Sequence, residues 1–157
     1  MKKPPLTILT LCISVAGCVQ SPAEEPNLPV GTLQHVVRAE EVAWGPCPPT
    51  LPAGCEIAVL EGNPQTPGLF TARFKVNSNF VMPPHTHPKE ERVTVLQGRV
   101  SVAFGRNATH KDAKTFVKGD YYVNARDAIH TVWADEVSVI QITGFGPWEA
   151  HFVDPSE

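Results

Sequence analysis

Two histidines, His85 and His87, stand two residues apart in the stretch Pro84-His85-Thr86-His87-Pro88-Lys89-Glu90-Glu91, and Gly98 follows Glu91 by seven residues. Successive side chains of an extended strand alternate faces, so both imidazoles point to one side. Glu91 can join them once the chain bends at Pro88. Nitrogen and oxygen donors converging in this way suit a divalent first-row transition metal. The spacing therefore predicts a metal site on a β-scaffold. Such ligands accept Fe, Mn, Co, Ni, Cu or Zn, and affinity alone does not choose among them.

The elements that must hold these residues read as strands. Residues 70–76 alternate between apolar and polar, as a half-buried strand does. Residues 92–97 and 99–104 form two strands meeting at Gly98, and residues 121–124, 129–134 and 137–145 continue the series. No long segment has a helical 3.6-residue period. Many short strands at close spacing predict an all-β sandwich or barrel. Pro83, Pro84 and Pro88 are assigned to edges and bends and not to central strands.

The ends place the domain. Residues 1–17 read as a secretory signal: Lys2 and Lys3, then a short apolar run, then Val15-Ala16-Gly17 ahead of Cys18. The tetrad Val15-Ala16-Gly17-Cys18 resembles the lipobox of bacterial lipoproteins, which implies an acylated Cys18. The alternative is an ordinary signal peptide in which Cys18 is incidental. Residues 18–32, with Pro22, Pro26 and Pro29, read as a flexible tether, and residues 33–157 as one domain. The expected location is the bacterial periplasm or cell envelope, with membrane contact through the N-terminal lipid only. Loss of Lys2 and Lys3 leaves 11 basic against 16 acidic residues, a net charge of −5. That charge excludes a general attraction to nucleic acid. Cys47 and Cys55 flank a proline-rich loop, and export favours a disulfide between them, with a pair of metal-ligating thiols as the alternative.

His130 lies eleven residues after Gly119, in the apolar strand 129–134. The pairing of His85, His87, Glu91 and Gly98 with Gly119 and His130 resembles the two motifs of the cupin superfamily. The resemblance implies a double-stranded β-helix, or jelly-roll barrel, in which His85, His87, Glu91 and His130 bind one divalent transition metal. Ala125, Asp127 and Ala134 stand where the second motif usually carries proline, glycine and asparagine, which bears on the loop before His130. Leu60-Glu61-Gly62-Asn63-Pro64, the segment 83–88 and Gly144-Phe145-Gly146-Pro147-Trp148 resemble a ChrR-like cupin group. That group includes an anti-sigma-factor domain and small metal-dependent dioxygenases, and cupin barrels of this kind often form homodimers.

Two functions follow as expectations. One is a metal-dependent enzyme acting on a small oxygen-bearing molecule, as a dioxygenase or isomerase. The other is a non-catalytic module that binds or senses a small molecule through its metal. Phe74, Val93, Val95, Val102 and Phe104 are expected to fill the barrel and form a pocket wall, and Gln141 either lines the pocket or serves the strand. Trp148 is assigned to packing at the barrel end, Glu90 to solvent, and His35, His110 and His151 to surface or structural roles. Asn107-Ala108-Thr109 matches a glycosylation pattern that carries no meaning in a bacterial lipoprotein.

Overall fold

The structure is a computed structural model that describes residues 28–154; the signal segment, Cys18 and most of the tether lie outside the described residues. The described residues form eleven strands: β1 (Gly45–Pro46), β2 (Cys55–Glu61), β3 (Gly68–Val76), β4 (Val81–Thr86), β5 (Glu91–Gln97), β6 (Arg99–Phe104), β7 (Lys114–Val117), β8 (Tyr121–Asn124), β9 (His130–Ala134), β10 (Ser138–Gly146) and β11 (His151–Phe152). Two short 3₁₀ turns, Ala39–Glu41 and His110–Asp112, are the only helical elements among the described residues.

All strand pairs are antiparallel, and they form two sheets. One runs β1-β2-β3-β10-β5-β8 and the other β11-β4-β9-β6-β7, which is a single-domain jelly-roll. Period-2 patterning decides what faces inward. In β3, Phe70, Ala72, Phe74 and Val76 are buried while Thr71, Arg73 and Lys75 face outward. In β5 the buried row is Glu91, Val93 and Val95. Glu91 therefore enters the interior on the same alternation that buries two valines, and Glu90 is left outside, paired with Arg92. The apolar centre between the sheets is Phe70, Ala72, Phe74, Val93 and Ile142, with Leu51, Tyr122 and Trp148 packed against it.

Gly98 makes the β5–β6 turn at φ +77°, and a Cβ there would run into the Val137 carbonyl and Ser138. Only glycine meets both demands.

Pro83 and Pro84 lie inside β4, between β9 and β11, but at an irregular point of it: neither has a partner in either register. The register of β4 on β9 shifts between Met82 and His85, and this irregularity accommodates two residues that lack an N–H. Strands β2 and β7 were not anticipated. By contrast, the predicted strands 99–104 and 121–124 match β6 and β8.

Candidate metal centre

His85 sits near the end of β4, His87 just beyond it, and His130 at the start of β9, directly opposite His85 in the register. Antiparallel pairing of the two strands here brings together residues 45 positions apart. The ring centroids of His85 and His130 are 4.2 Å apart, those of His85 and His87 4.9 Å, and those of His87 and His130 5.3 Å. One ring nitrogen from each histidine lies within 4.8 Å of the other two. The three side chains are almost completely buried.

Backbone carbonyls set the tautomer of every ring. The Nδ1 of His85 is 2.7 Å from Pro83 O, that of His87 2.7 Å from Glu149 O, and that of His130 2.9 Å from Ala128 O. A carbonyl only accepts, so each Nδ1 carries the proton and each Nε2 keeps its lone pair. Burial holds His85 down at a pKa of about 3, with help from His130 and His87. Burial lowers His130 as well, against the opposing pull of the Ala128 carbonyl and the Glu91 charge. These two rings are neutral donors at neutral pH, the state a metal requires.

Glu91 stands beside the histidines, its Oε1 3.5 Å from His87 Nε2 and its Oε2 4.0 Å from His130 Nε2. Trp148 Nε1 donates to Oε1 at 3.1 Å and Asn124 Nδ2 donates to Oε2 at 3.0 Å. The Trp148 ring also stacks on His87 with centroids 5.1 Å apart. Trp148 is thus not simply packing at the barrel end: it holds the carboxylate. Asn124 was missed as well. It signals itself only through the β8 alternation, which turns Tyr122 and Asn124 inward opposite Val93 and Glu91.

The site fits a divalent ion on two observations. His87 Nε2 is buried with no hydrogen-bond partner, an arrangement that costs free energy unless something accepts its lone pair. The donor set is also three neutral imidazoles beside a carboxylate, which is transition-metal chemistry. The loop before His130 holds without its usual glycine. Asp127 adopts φ +59°, which aspartate tolerates, and its N–H donates to His87 O at 2.8 Å.

His85, His87 and Glu91 border a cavity of about 60 Å³, room for roughly four water molecules. Its walls are apolar and include Phe74, Val93, Val100, Ile142 and Trp148, with Tyr122 among them. Burial, and then the Glu91 charge, push the Tyr122 phenol above its ordinary range, so it keeps its proton. Among the residues expected to form the pocket, Phe74 and Val93 border it. Val95 and Val102 are buried but lie away from the cavity. Phe104 is 55% exposed, because β6 turns its end outward, and it touches the site only through the His130 ring. Gln141 faces outward from β10 and accepts a hydrogen bond from Arg73 Nε at 3.1 Å.

The remaining histidines lie elsewhere. His35 meets Leu60 O, His110 pairs with Asp135, and His151 with Glu149. Cys47 and Cys55 form a disulfide with Cα atoms 5.7 Å apart, which excludes them as thiolate ligands.

The description ChrR Cupin-like domain covers residues 32–149, and the chain belongs to that family. It is 39% identical over 66 residues to germin-like protein subfamily 2 member 4 of Arabidopsis thaliana, a stretch covering 41% of this chain and 30% of that protein. The chain thus spans about a third of the length of the curated relatives it matches. An acetylacetone dioxygenase from Acinetobacter johnsonii superposes with a TM-score of 0.62 at 19% identity, over 83% of this chain and 85% of that one. The polyketide cyclase RemF from Streptomyces resistomycificus does so with 0.64 at 16% identity, over 78% and 87%. These structures share the fold.

Proposed function

We propose that this ChrR-type cupin is a metal-dependent enzyme acting on a small, uncharged, oxygen-bearing molecule, in the manner of a dioxygenase. The observation that carries the reading is the convergence of three carbonyl-anchored imidazoles, two of which, His85 and His87, line a small apolar cavity. The name of the Acinetobacter relative in fold, an acetylacetone dioxygenase, supports the same class. His85, His87 and His130, with Glu91, would hold one divalent transition metal. When bound, such an ion supplies Lewis acidity and, if redox-active, a route to O₂ chemistry.

The chain's own residues supply the rest. Phe74, Val93 and Ile142 exclude water and favour an apolar body over a charged one. Tyr122 presents a protonated phenol at the cavity wall and can donate a hydrogen bond to a substrate oxygen. In this structure Trp148 and Asn124 each donate to one oxygen of Glu91, which holds the carboxylate beside the histidines. The alternative, a non-catalytic binding or sensing module, draws support from the wall itself: apart from Tyr122, the side chains that line it and could move a proton belong to the ligand set.

The test is metal content by elemental analysis for wild type, His85→Ala and His130→Ala, followed by oxygen uptake with a panel of β-dicarbonyl and phenolic compounds. Near-stoichiometric metal in wild type and its loss in both variants are expected. Equal metal in all three would overturn the site. Bound metal and ligand binding, with no turnover under Fe, Mn, Co, Ni, Cu or Zn, would assign the chain to the binding module.

The exported reading, with a signal over residues 1–17, a tether over 18–32, an acylated Cys18 and a homodimer in the cell envelope, is part of the same proposal. The Cys47–Cys55 disulfide supports an oxidising compartment. Radiolabelled palmitate incorporated by wild type and not by Cys18→Ala is the expected result.

A further inference from the structure

Asn124 is 1% exposed and lies opposite Glu91 in the β5–β8 register. Its amide uses only one end. Nδ2 is 3.0 Å from Glu91 Oε2 and 3.0 Å from His130 Nε2, bonding both, while Oδ1 is buried with no partner. A buried amide oxygen without a donor is costly, and it lies beside three imidazoles and a carboxylate.

The bond from Nδ2 to His130 occupies the lone pair that a metal needs. Nδ1 of that ring is already committed to Ala128 O, so His130 cannot serve both the amide and an ion. When an ion takes Nε2, the amide loses half of its bonding. A half-turn of the amide exchanges its nitrogen and oxygen at nearly the same place. The far end forfeits no hydrogen bond in that turn, because Oδ1 has none to lose. The spacing is also informative: two ligands at right angles, each about 2.1 Å from an ion, stand about 3 Å apart. The terminal atom of Asn124 has that separation from both His130 Nε2 and Glu91 Oε2.

We propose that Asn124 is a further oxygen ligand of the metal centre, its amide turning over on metal binding so that Oδ1 replaces Nδ2 beside Glu91 and His130. The inference rests on the metal reading above and names a residue outside the histidine and glutamate set.

The experiment measures affinity for Zn(II) and Mn(II) by chelator competition in wild type, Asn124→Ala and Asn124→Asp, alongside ¹⁵N NMR of the asparagine side-chain amides with and without Zn(II). Asn124→Ala is expected to weaken binding by about 10- to 100-fold. Asn124→Asp, which keeps an oxygen donor, is expected to match or exceed wild type. The Asn124 amide pair of wild type should shift on zinc addition, a readout that needs no variant to fold. If Asn124 only donated to Glu91, the aspartate could not replace it and would repel that carboxylate. A loss in Asn124→Asp as large as in Asn124→Ala, or an unmoved amide pair, therefore overturns the proposal. If wild type binds neither ion, the metal reading itself falls with it. If wild type binds and Asn124→Ala binds equally well, only the Asn124 role falls.

Discussion

Replacing Trp148 with phenylalanine isolates one hydrogen bond at the heart of the site. The smaller ring keeps an aromatic face against His87 and an apolar surface toward the cavity, but it removes the Nε1–H that Glu91 Oε1 accepts at 3.1 Å. The Glu91 side chain is only 6% exposed, so water cannot easily replace the lost donor. A hydrogen bond to a buried charge contributes about 1.5–3 kcal/mol, and its removal leaves the carboxylate on Asn124 alone. For a domain of this size 2 kcal/mol corresponds to a fall in Tm of roughly 6–9 °C in the metal-free protein. The freed carboxylate also loses its fixed orientation toward His87, which should weaken metal affinity by about 10- to 100-fold. Differential scanning calorimetry of metal-free Trp148→Phe, with chelator competition for zinc, checks both numbers. Unchanged Tm together with unchanged affinity would refute the claim that Trp148 positions Glu91.

Three further outcomes follow from the same structure. Metal-free protein should lose stability in acid: His85 stays unprotonated in the fold down to about pH 3 while the unfolded chain takes up a proton below 6.5. Stability is therefore complete above pH 6.5 and falls toward pH 3 by about 1.4 kcal/mol per pH unit, His130 adding in the same direction, as urea titrations at a series of pH values would record. Replacing both Cys47 and Cys55 by serine should cost about 2.5 kcal/mol through the short loop they close, and should loosen Leu51 on the cavity wall, both visible in the denaturation midpoint and in ligand affinity. Gly98→Ala combines a left-handed φ with a clash against Val137 and Ser138, and a loss of roughly 2–4 kcal/mol in urea unfolding is expected.

How much of this was legible in the residues depends on how local the cause is. The β6 and β8 boundaries, the inward row of β3 and the placing of Glu90 outside with Glu91 inside all follow from alternation within a few residues. His85 and His87 share a site because they share one short segment, and local spacing suffices to say so. The strand through Pro83-Pro84 escaped because β4 is held by its neighbours β9 and β11, and prolines argue against a strand only while those neighbours are unknown.

The sequence by itself determined which side chains could ligate a metal and which strand could carry His130, and it favoured a pairing of cysteines 47 and 55. Tertiary structure alone decided which groups hold the ligands in place. Asn124 reaches Glu91 across a strand pair, Trp148 reaches it from 57 residues away, and the Glu149 carbonyl that sets the His87 tautomer lies 62 residues on. It also moved Phe104 and Gln141 off the pocket and left Phe74 and Val93 on it. The physical reason is one of range. Alternation, turns and ligand spacing act along a few residues of chain, whereas the hydrogen bonds that orient buried groups form only after distant strands have packed.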